Sequence, residues 1–481
     1  MEQERFAGAT LAELKQSWPF AHKAEEIAGR RVIEPPKGLM QIVLDDDPTG
    51  TQTVHDIPVL TTWDRPALRA EFERGSHAFY ILTNSRAMNR AQTEATHREI
   101  AQNVFAEAAR AKREYLLLSR SDSTLRGHYP LETQTLRETL EGLGHKAFDG
   151  EIICPFFLEG NRFTCENVHY LVENNVLLPV GQSEFAKDST FGYTFSSLPA
   201  YVEEKTEGAV KANQVVTIPL ALLRNGDVEG VAEILNSLQG YRRIVVNAID
   251  YGDLMVFVTA LWTTVAAGKQ WMFRTAASLV RVMIGCEPKP LLTGADICDA
   301  NNGAGGLIIV GSHTAKTTQQ LGGLVNTCNV NTIAFHTGLV SQPDLFEDEI
   351  RRVTALADQS IAEGKDTVIL TKRTLQRPKD GDAEAALKLS TDISQGLTRI
   401  VAGLESRPRF VIAKGGITSS DVATCGLGIK RAMVLGQILP GIPVWHAGAE
   451  SRFPGMNYII FPGNVGEAGT LAEIVTIANQ R

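Results

Sequence analysis

The sequence has 481 residues, of which 43% are hydrophobic and 21% are charged, and its formal net charge is −8. This length exceeds one ordinary core and predicts two or three domains of globular composition. The acidic balance argues against a nucleic-acid-binding protein, which would need a basic patch or stripe. No apolar run approaches the roughly 18 residues that a membrane span requires.

The N-terminus is charged and amphipathic, without the apolar core of a secretory signal. The six cysteines are scattered and form no C-x-x-C pair, which is typical of reduced intracellular thiols. We therefore expect a cytoplasmic protein.

The first half of the chain predicts strands that alternate with helices. Residues 1–36 form a helical extension, with one helix over residues 8–30, and two prolines end it. Short apolar runs predict strands at residues 39–44, 78–82, 115–118, 151–155 and 243–247. This alternation predicts an α/β fold with a mainly parallel sheet. Residues 183–225 are poorly periodic and indicate an insertion or hairpin.

Three adjacent carboxylates, Asp45, Asp46 and Asp47, follow the first predicted strand, and Thr49 and Gly50 come soon after. Loops at the carboxyl ends of parallel strands are where open sheets bind ligands. Adjacent acids repel one another, so a fold that keeps them together usually gives them a cation, a proton or a hydroxyl. A solvated turn with an Asx cap is the alternative, since these are ordinary turn residues.

The next predicted strands also end in polar loops, and three of these loops carry an arginine. The loop residues of interest are Asn84, Ser85, Arg86, Asp122, Ser123, Arg126, His128 and Arg162. Arginines gathered at one sheet edge would bind the carboxylate of a small hydroxylated anion through paired hydrogen bonds. Helix caps and surface ion pairs are the alternative for any single loop. His55 and His128 are candidate polar contacts, and no two histidines have metal-ligand spacing, so we expect no metal site made by protein alone.

Turn-rich residues 286–306 predict a linker between a first domain, residues 37–285, and a second, residues 307–481. The second domain repeats the pattern of strands and helices. Three of its predicted strands end in glycine-bearing turns, which suit phosphate because glycine admits close approach and helix N-termini offer N–H groups. Neither a P-loop nor a G-x-G-x-x-G fingerprint is present.

Several motifs together resemble the four-carbon acid sugar kinase family, in the same order, over roughly residues 40–475. They are residues 45–50, 83–86, 121–127, 187–192, 415–418 and 463–464. The resemblance implies two α/β domains, an acid-sugar-binding one followed by a nucleotide-binding one, with the active site in the cleft between them. It also implies ATP-dependent phosphorylation of a terminal hydroxyl of an acid sugar of about four carbons.

The matching positions assign roles to residues. The resemblance implies nucleotide contacts from Ser312, Gly415, Gly416, Ile417, Thr418, Gly463 and Asn464. Asp46 and Asp47 fall on the family's paired acids, and we assign Asp47, or failing that Asp46, as the base. Substrate contacts are expected from Asp45, Thr49, Gly50, Asn84, Ser85, Arg86, Asp122, Ser123, Arg126 and His128. The expected ligands are a small acid sugar and ATP with Mg²⁺, with no nucleic acid and no membrane, and a homodimer is left open.

The chain departs from the better-known threonate and oxo-tetronate kinases of this family at three places. Pro48 stands where an aromatic residue is usual, Thr51 and Gln52 begin a different loop, and Phe461-Pro462 replace a common lysine-serine pair. The changes lie mainly at the substrate edge. Two other functions are consistent with the residues: a metal-assisted sugar-acid lyase or synthase, and a non-catalytic sensor of an acid sugar and a nucleotide.

Overall fold

The computed structural model describes residues 4–30, 34–299, 301–311, 314–371, 383–463 and 465–480. The chain divides into two compact units, one of Met1–Thr53 with Thr62–Pro288 and the other of Val54–Thr61 with Lys289–Arg481. The division after Pro288 falls inside the stretch for which the sequence predicts a linker. The short segment Val54–Thr61 belongs to the second unit, which no sequence pattern indicates.

The elements up to Pro288 are helices and strands, which alternate over residues 57–154 and 242–284. In chain order they are α1 (Leu11–Ser17), α2 (His22–Ala28), β1 (Met40–Asp45), β2 (Ile57–Leu60), α3 (Arg65–Arg74), β3 (Ala78–Leu82), α4 (Arg90–Ala111), β4 (Tyr115–Arg120), α5 (Leu131–Gly142), β5 (Gly150–Cys154), β6 (Arg162–Cys165), β7 (Val168–Glu173), β8 (Val176–Pro179), α6 (Leu198–Lys205), β9 (Val216–Ile218), α7 (Leu220–Arg224), α8 (Val228–Asn236), β10 (Arg242–Val246), α9 (Tyr251–Ala266), β11 (Trp271–Thr275) and α10 (Ala277–Ile284).

The first unit is built on a parallel sheet with strand order β3-β1-β4-β11-β5-β10-β9. All six residues of β1 are buried, as expected for a strand covered on both faces. Strand β3, the next strand of this sheet in the chain, pairs with one edge of β1, and β4, which follows β3, pairs with the other edge of β1. The carboxyl ends of β1 and β4 therefore form a topological switch point, where open α/β sheets bind ligands.

Two predictions for the first unit need correction. The single helix predicted over residues 8–30 is two helices, α1 and α2, because Pro19 lacks an N–H and Trp18 before it takes a non-helical conformation. Residues 183–225 contain α6, β9 and α7 and are not a hairpin. The antiparallel sheet of the unit, β6-β7-β8, precedes them.

The elements after Pro288 form the second unit together with β2. They are α11 (Gly294–Ile297), β12 (Leu307–Val310), α12 (Ala315–Thr327), β13 (Asn331–Phe335), α13 (Pro343–Ala362), β14 (Thr367–Thr371), α14 (Ala383–Gly403), β15 (Val411–Lys414), α15 (Gly416–Asp421), β16 (Arg431–Leu439), β17 (Ile442–Ala447), β18 (Asn457–Phe461) and α16 (Thr470–Asn479).

The second unit has the strand order β13-β14-β12-β15-β18-β17-β16-β2. Strands β13 to β18 in this order are parallel, and β17, β16 and β2 continue the sheet in antiparallel pairs. A core of β12, β15 and β18 side chains packs under α12 and α16. The predicted α/β class, with two domains built on mainly parallel strands, is confirmed. Among the helices of the described ranges, none has both the length and the apolar character to cross a membrane.

A buried carboxylate joins α3 to α4 in the first unit. The side chain of Glu107 is fully buried, and its oxygens accept hydrogen bonds from Arg65 (2.8 Å), Arg69 (3.1 Å) and Arg110 (2.8 Å). Hydrogen bonds from Arg69, then from Arg110 and Arg65, outweigh burial and lower the pKa of Glu107 to about 2. This ionised group therefore stabilises the packing of the two helices.

We expect the replacement Glu107→Gln to lower the melting temperature at pH 7 more than at pH 3. The pKa is about 4.3 in an unfolded chain and about 2 in the folded one, so the stabilisation is complete above roughly pH 5 and is lost as the pH falls towards 2. Thermal denaturation at the two pH values measures it.

Glu94→Gln on the same helix is the control, because Glu94 forms only an exposed pair with Arg98 and such pairs contribute about 0–1 kcal/mol. An equal loss for Glu107→Gln at both pH values would contradict the assigned ion pairing.

Candidate functional site

The candidate site of the first unit lies at the carboxyl ends of β1, β3 and β4. Asp45 is aligned with Leu82 on one neighbouring strand and with Arg120 on the other. Loops carrying the predicted site residues begin directly after these positions. The fold therefore brings together, at one sheet edge, the three acids and the polar loops that the sequence separates by up to eighty residues.

Asp45 is an internal carboxylate. Its Oδ1 atom accepts a hydrogen bond from Arg120 Nη1 at 3.1 Å. A Cβ atom at Gly50 would lie 2.0 Å from Asp45 Oδ2, so only glycine fits above this carboxylate. Burial raises the pKa of Asp45 to about 7, although Arg120 opposes the rise. Asp45 thus packs beneath Gly50 inside the protein and supports the loop that contains this glycine.

Asp46 is held by a two-pronged ion pair. Arg86 Nη2 donates to Asp46 Oδ1 at 2.7 Å, and Arg86 Nε donates to Oδ2 at 3.2 Å. Arg120 Nη1 lies 3.7 Å from the same Oδ1 atom. Burial raises the pKa of Asp46 despite these arginines. The geometry is the planar fork that arginine offers to a carboxylate, and it fixes the Asp46 side chain.

Asp47 is the most accessible of the three acids, with 16% of its side chain exposed against 2% for Asp45 and Asp46. Its Oδ1 atom accepts the Thr49 N–H at 2.8 Å, and Arg86 Nη1 lies 3.5 Å from Oδ2. Burial favours the neutral form, but Arg86 and the Thr49 hydrogen bonds outweigh it and lower the pKa of Asp47. Asp47 is therefore an oriented, ionised carboxylate that solvent can reach.

The loop after β4 is fixed by its own ion pair. Arg126 Nε donates to Asp122 Oδ2 at 2.7 Å, and Asp188 lies 3.8 Å from Arg126. The Arg126 guanidinium also lies over the Phe185 ring, 4.9 Å from its centroid. Although burial opposes it, Arg126 with other groups holds the pKa of Asp122 well below its usual range. Arg126 is thus a paired arginine. Its neighbour Asp188 belongs to the motif at residues 187–192.

Other predicted residues hold the loops in place. Asn84 takes a left-handed conformation, φ 56°, which asparagine tolerates well, and its N–H lies 3.4 Å from the Asp45 carbonyl. His128 donates from Nε2 to the Met88 carbonyl at 2.9 Å. His55 lies in the second unit and contacts Asp56 at 2.7 Å.

Two buried residues that the sequence analysis left out support this site. Glu132 accepts hydrogen bonds from Ser85 (2.6 Å) and Ser121 (3.3 Å), so it joins the loops after β3 and β4. His169 Nε2 lies 2.8 Å from the Ser123 carbonyl, and its Nδ1 lies 2.9 Å from Thr164 Oγ1. Because a carbonyl only accepts, Nε2 carries the proton. No motif includes either residue. The sequence signal that could have indicated a supporting role is a polar residue within an apolar helix face or strand.

Arg162 differs from the other arginines of the site. Within the described ranges, no carboxylate lies within 4.0 Å of its guanidinium, and its buried Nε has no hydrogen-bond partner. It lies on the same face of the β6–β7 pair as Thr164 and His169, the face that contacts Ser123. Burial lowers the pKa of Arg162, with Asp122 opposing and Arg126 adding to the effect. This cation is therefore uncompensated.

In the second unit, the predicted glycine turns also meet at the carboxyl ends of adjacent strands. Gly415 has φ +120°, which favours glycine, and its N–H donates to the Phe461 carbonyl at 2.9 Å. A Cβ at Gly311 would lie 2.4 Å from Thr418 Oγ1, so the turn after β12 touches the start of α15. Around Gly463 an added Cβ would meet open space. Gly416 begins α15. Ser312, Asn464 and the Ile417 side chain lie outside the described residues.

A buried lysine lies between these turns. Lys414 is fully buried, and its Nζ donates to the carbonyls of Pro462 (2.5 Å) and Gly463 (3.3 Å). The Nζ atom also lies 3.8 Å from the centroid of the Phe461 ring. Burial, together with the charge of Lys316, lowers the pKa of Lys414 to about 7. Lys414 directly precedes the motif at residues 415–418, and the motif gives it no role.

Comparisons with known proteins agree with this two-part organisation. A family model described as sugar-binding N-terminal domain matches residues 41–283, and one described as nucleotide-binding C-terminal domain matches residues 307–471. No curated protein matches the sequence significantly.

Two solved structures share the fold. One is a protein from Salmonella typhimurium LT2 that carries the provisional name of a tRNA synthase, with a TM-score of 0.67, 17% identity, and coverage of 92% of this chain and 99% of its own. The other is a Haemophilus influenzae protein of the family DUF1537, with a TM-score of 0.60, 17% identity, and coverage of 90% and 99%. Because the sugar-binding model matches half of the chain and the nucleotide-binding model follows it, the chain belongs to the family that its motifs resemble, the four-carbon acid sugar kinase family.

Proposed function

We propose that the protein is an ATP-dependent kinase that phosphorylates a terminal hydroxyl of a small acid sugar of about four carbons. The observation that carries this proposal is the Asp47 carboxylate, ionised and accessible at the switch point of the sugar-binding domain. A nucleotide-binding domain in the same chain supports the identity of the second substrate.

Asp47 suits the role of the base. Phosphoryl transfer needs alignment and charge neutralisation more than covalent help from the protein. The hydroxyl oxygen of the sugar forms a bond to the terminal phosphorus of ATP, the bond to ADP breaks, and Asp47 takes the hydroxyl proton. The Thr49 N–H and Arg86 orient this carboxylate. Asp46 is occupied by Arg86, and its role is to place that arginine.

Arg162 suits the role of the group that binds the substrate's carboxylate. The sequence predicts this role for the loop arginines Arg86, Arg126 and Arg162 together, but Arg86 and Arg126 form ion pairs within the protein. Arg162 has no such partner among the described residues, and a guanidinium offers a planar fork to a carboxylate. The cost of burying this charge would be offset by a bound anion.

The glycine turns of the second unit would hold the nucleotide. Gly415, Gly416 and Gly463 allow the backbone to approach phosphates closely, and Thr418 lies in the same turn region with a hydroxyl that could donate to a phosphate. Mg²⁺, bound by the phosphate oxygens, would supply neutralisation of their charge.

The proposal is tested by measuring ADP release from ATP and Mg²⁺ with a panel of four-carbon sugar acids. Each acid is compared with its neutral polyol and with a no-sugar control. Release that depends on one acid supports the kinase, whereas ATP-independent loss of the sugar acid would indicate a lyase. Binding of both ligands without turnover would indicate a sensor.

We expect Asp47→Asn to lower kcat by about 10²–10⁴, because general-base contributions have this size and asparagine cannot accept the proton. The melting temperature should change little, since the side chain keeps its shape and its contact with the Thr49 N–H. Near-normal turnover in a folded Asp47→Asn variant would exclude Asp47 as the base.

Asp46→Asn should act mainly on stability. It breaks a buried ion pair with Arg86, a change that typically costs about 3–5 kcal/mol. Denaturant unfolding measures the loss. If Asp46→Asn instead keeps its stability and loses turnover while Asp47→Asn stays active, the two roles are reversed.

Arg162→Met should raise KM for the acid sugar at least tenfold and leave the melting temperature unchanged or higher, because it removes an unpaired buried charge. Arg281→Met is the matched control: Arg281 pairs with Glu159 at 2.9 Å, so its loss should reduce stability. A destabilised Arg162→Met variant with an unchanged KM would show that Arg162 is structural.

A further inference from the structure

Lys414 occupies a central position in the second unit. It ends β15, and its neighbours in register are Val310 on β12 and Phe461 on β18. The turns that begin at Gly311 and Pro462 follow directly on these neighbours. The Lys414 ammonium therefore lies at the point where three strand ends and their turns meet.

Among the residues that the structure describes, no negative charge compensates this ammonium. Among the described residues, no carboxylate lies within 4.0 Å of Lys414, and its two hydrogen bonds go to neutral carbonyls. The charged group that faces it is Lys316, from the first turn of α12. On α15, Asp421 bonds to Ser394, and on β18 the Tyr458 hydroxyl donates to the Ser419 carbonyl.

An ammonium buried without an anion is costly, since neither water nor a counter-ion stabilises it. Two hydrogen bonds to carbonyls leave the third N–H of the Lys414 ammonium for another acceptor. The positive charge of Lys316 acts on Lys414, and the turns after β12 and β18 surround Lys414, so this position suits an anionic ligand. A phosphate group of a nucleotide is such a ligand.

We propose that Lys414 binds a phosphate group of the nucleotide, a contact that the glycine-turn motifs do not assign. This inference rests on the nucleotide-binding part of the proposed function. It adds that one anchor of the nucleotide is a side-chain cation placed between the turns. The contribution of Lys414 to affinity therefore depends on the charge of the ligand's phosphates and not on its adenosine part.

If the proposal is right, nucleotide binding is coupled to proton uptake. Burial and Lys316 lower the pKa of Lys414 to about 7 in the free protein, so at pH 8 the amine is mostly neutral. A bound phosphate raises this pKa, and binding therefore takes up a proton at pH 8. The affinity for ADP should fall as the pH rises above about 7.

The test is isothermal titration calorimetry of the full chain with MgADP and with adenosine. Lys414→Met should weaken MgADP binding by about ten- to a hundredfold, the usual size of a charge-assisted hydrogen bond, and leave adenosine binding unchanged. Lys365→Met is the control, because Lys365 is exposed and lies just before β14, at the opposite end of the same sheet.

A second measurement needs no variant. Wild-type titrations at pH 8 in two buffers of different ionisation enthalpy should show uptake of a large part of one proton per MgADP, since MgADP itself is fully ionised there. Absence of this uptake overturns the inference, even if Lys414→Met does not fold.

Other outcomes are equally decisive. If Lys414→Met binds MgADP as the wild type does, or loses adenosine affinity to the same extent, Lys414 only ties the turns together and the inference is wrong. If the wild type binds neither MgADP nor adenosine, the proposed function fails and the inference falls with it.

Discussion

The first unit depends on the way in which three adjacent carboxylates are stabilised at the end of a buried strand. Asp45 and Asp46 are almost fully buried, and each is charged only at the cost of desolvation. Arg120, at the end of β4, and Arg86, after β3, provide the opposing charge. Because these arginines come from the two strands beside β1, the ion pairs hold three loops at one sheet edge. Gly50 completes the arrangement by leaving room for Asp45.

The buried charged groups fall into two kinds: those that are paired within the protein and support the fold, and those that remain available to bind a ligand. Arg86 and Arg126 have carboxylate partners at 2.7 Å, and Glu107 is surrounded by three arginines. Arg162 in the first unit and Lys414 in the second have no carboxylate within reach among the described residues. Arg274 is also buried, has no carboxylate within 4.0 Å among the described residues, and donates to the Arg126 carbonyl. Because an unpaired buried cation is costly, Arg162 and Lys414 fit binding sites for anionic groups, a carboxylate in one domain and a phosphate in the other.

The candidate site of the first unit is also supported by groups that lie outside its motifs. Glu132 links two serines of different loops, and His169 fixes the Ser123 carbonyl from an antiparallel strand. Arg274, on β11, donates to the Arg126 carbonyl at 3.0 Å. Apart from the contact of Glu132 with Ser121, 11 residues away, these contacts join residues separated by 46 to 148 positions in the chain. Together they explain how the loops keep their conformation while Asp47 stays accessible to solvent.

The sequence by itself determined the α/β class, most of the parallel strands, the acidic loop and the glycine turns. Short apolar runs, turn residues and helix periodicity are local signals, so they survive without tertiary information. Pro19 is also a local signal, since proline interrupts a helix, but the prediction of a single helix did not take it into account. Which arginine is paired and which is not could not be read from the loops, because ion pairing depends on distances across strands. Only the tertiary structure placed Arg86 on Asp46 and moved Val54–Thr61 into the second unit. It also left Arg162 and Lys414 without a carboxylate partner in the part of the chain that it describes.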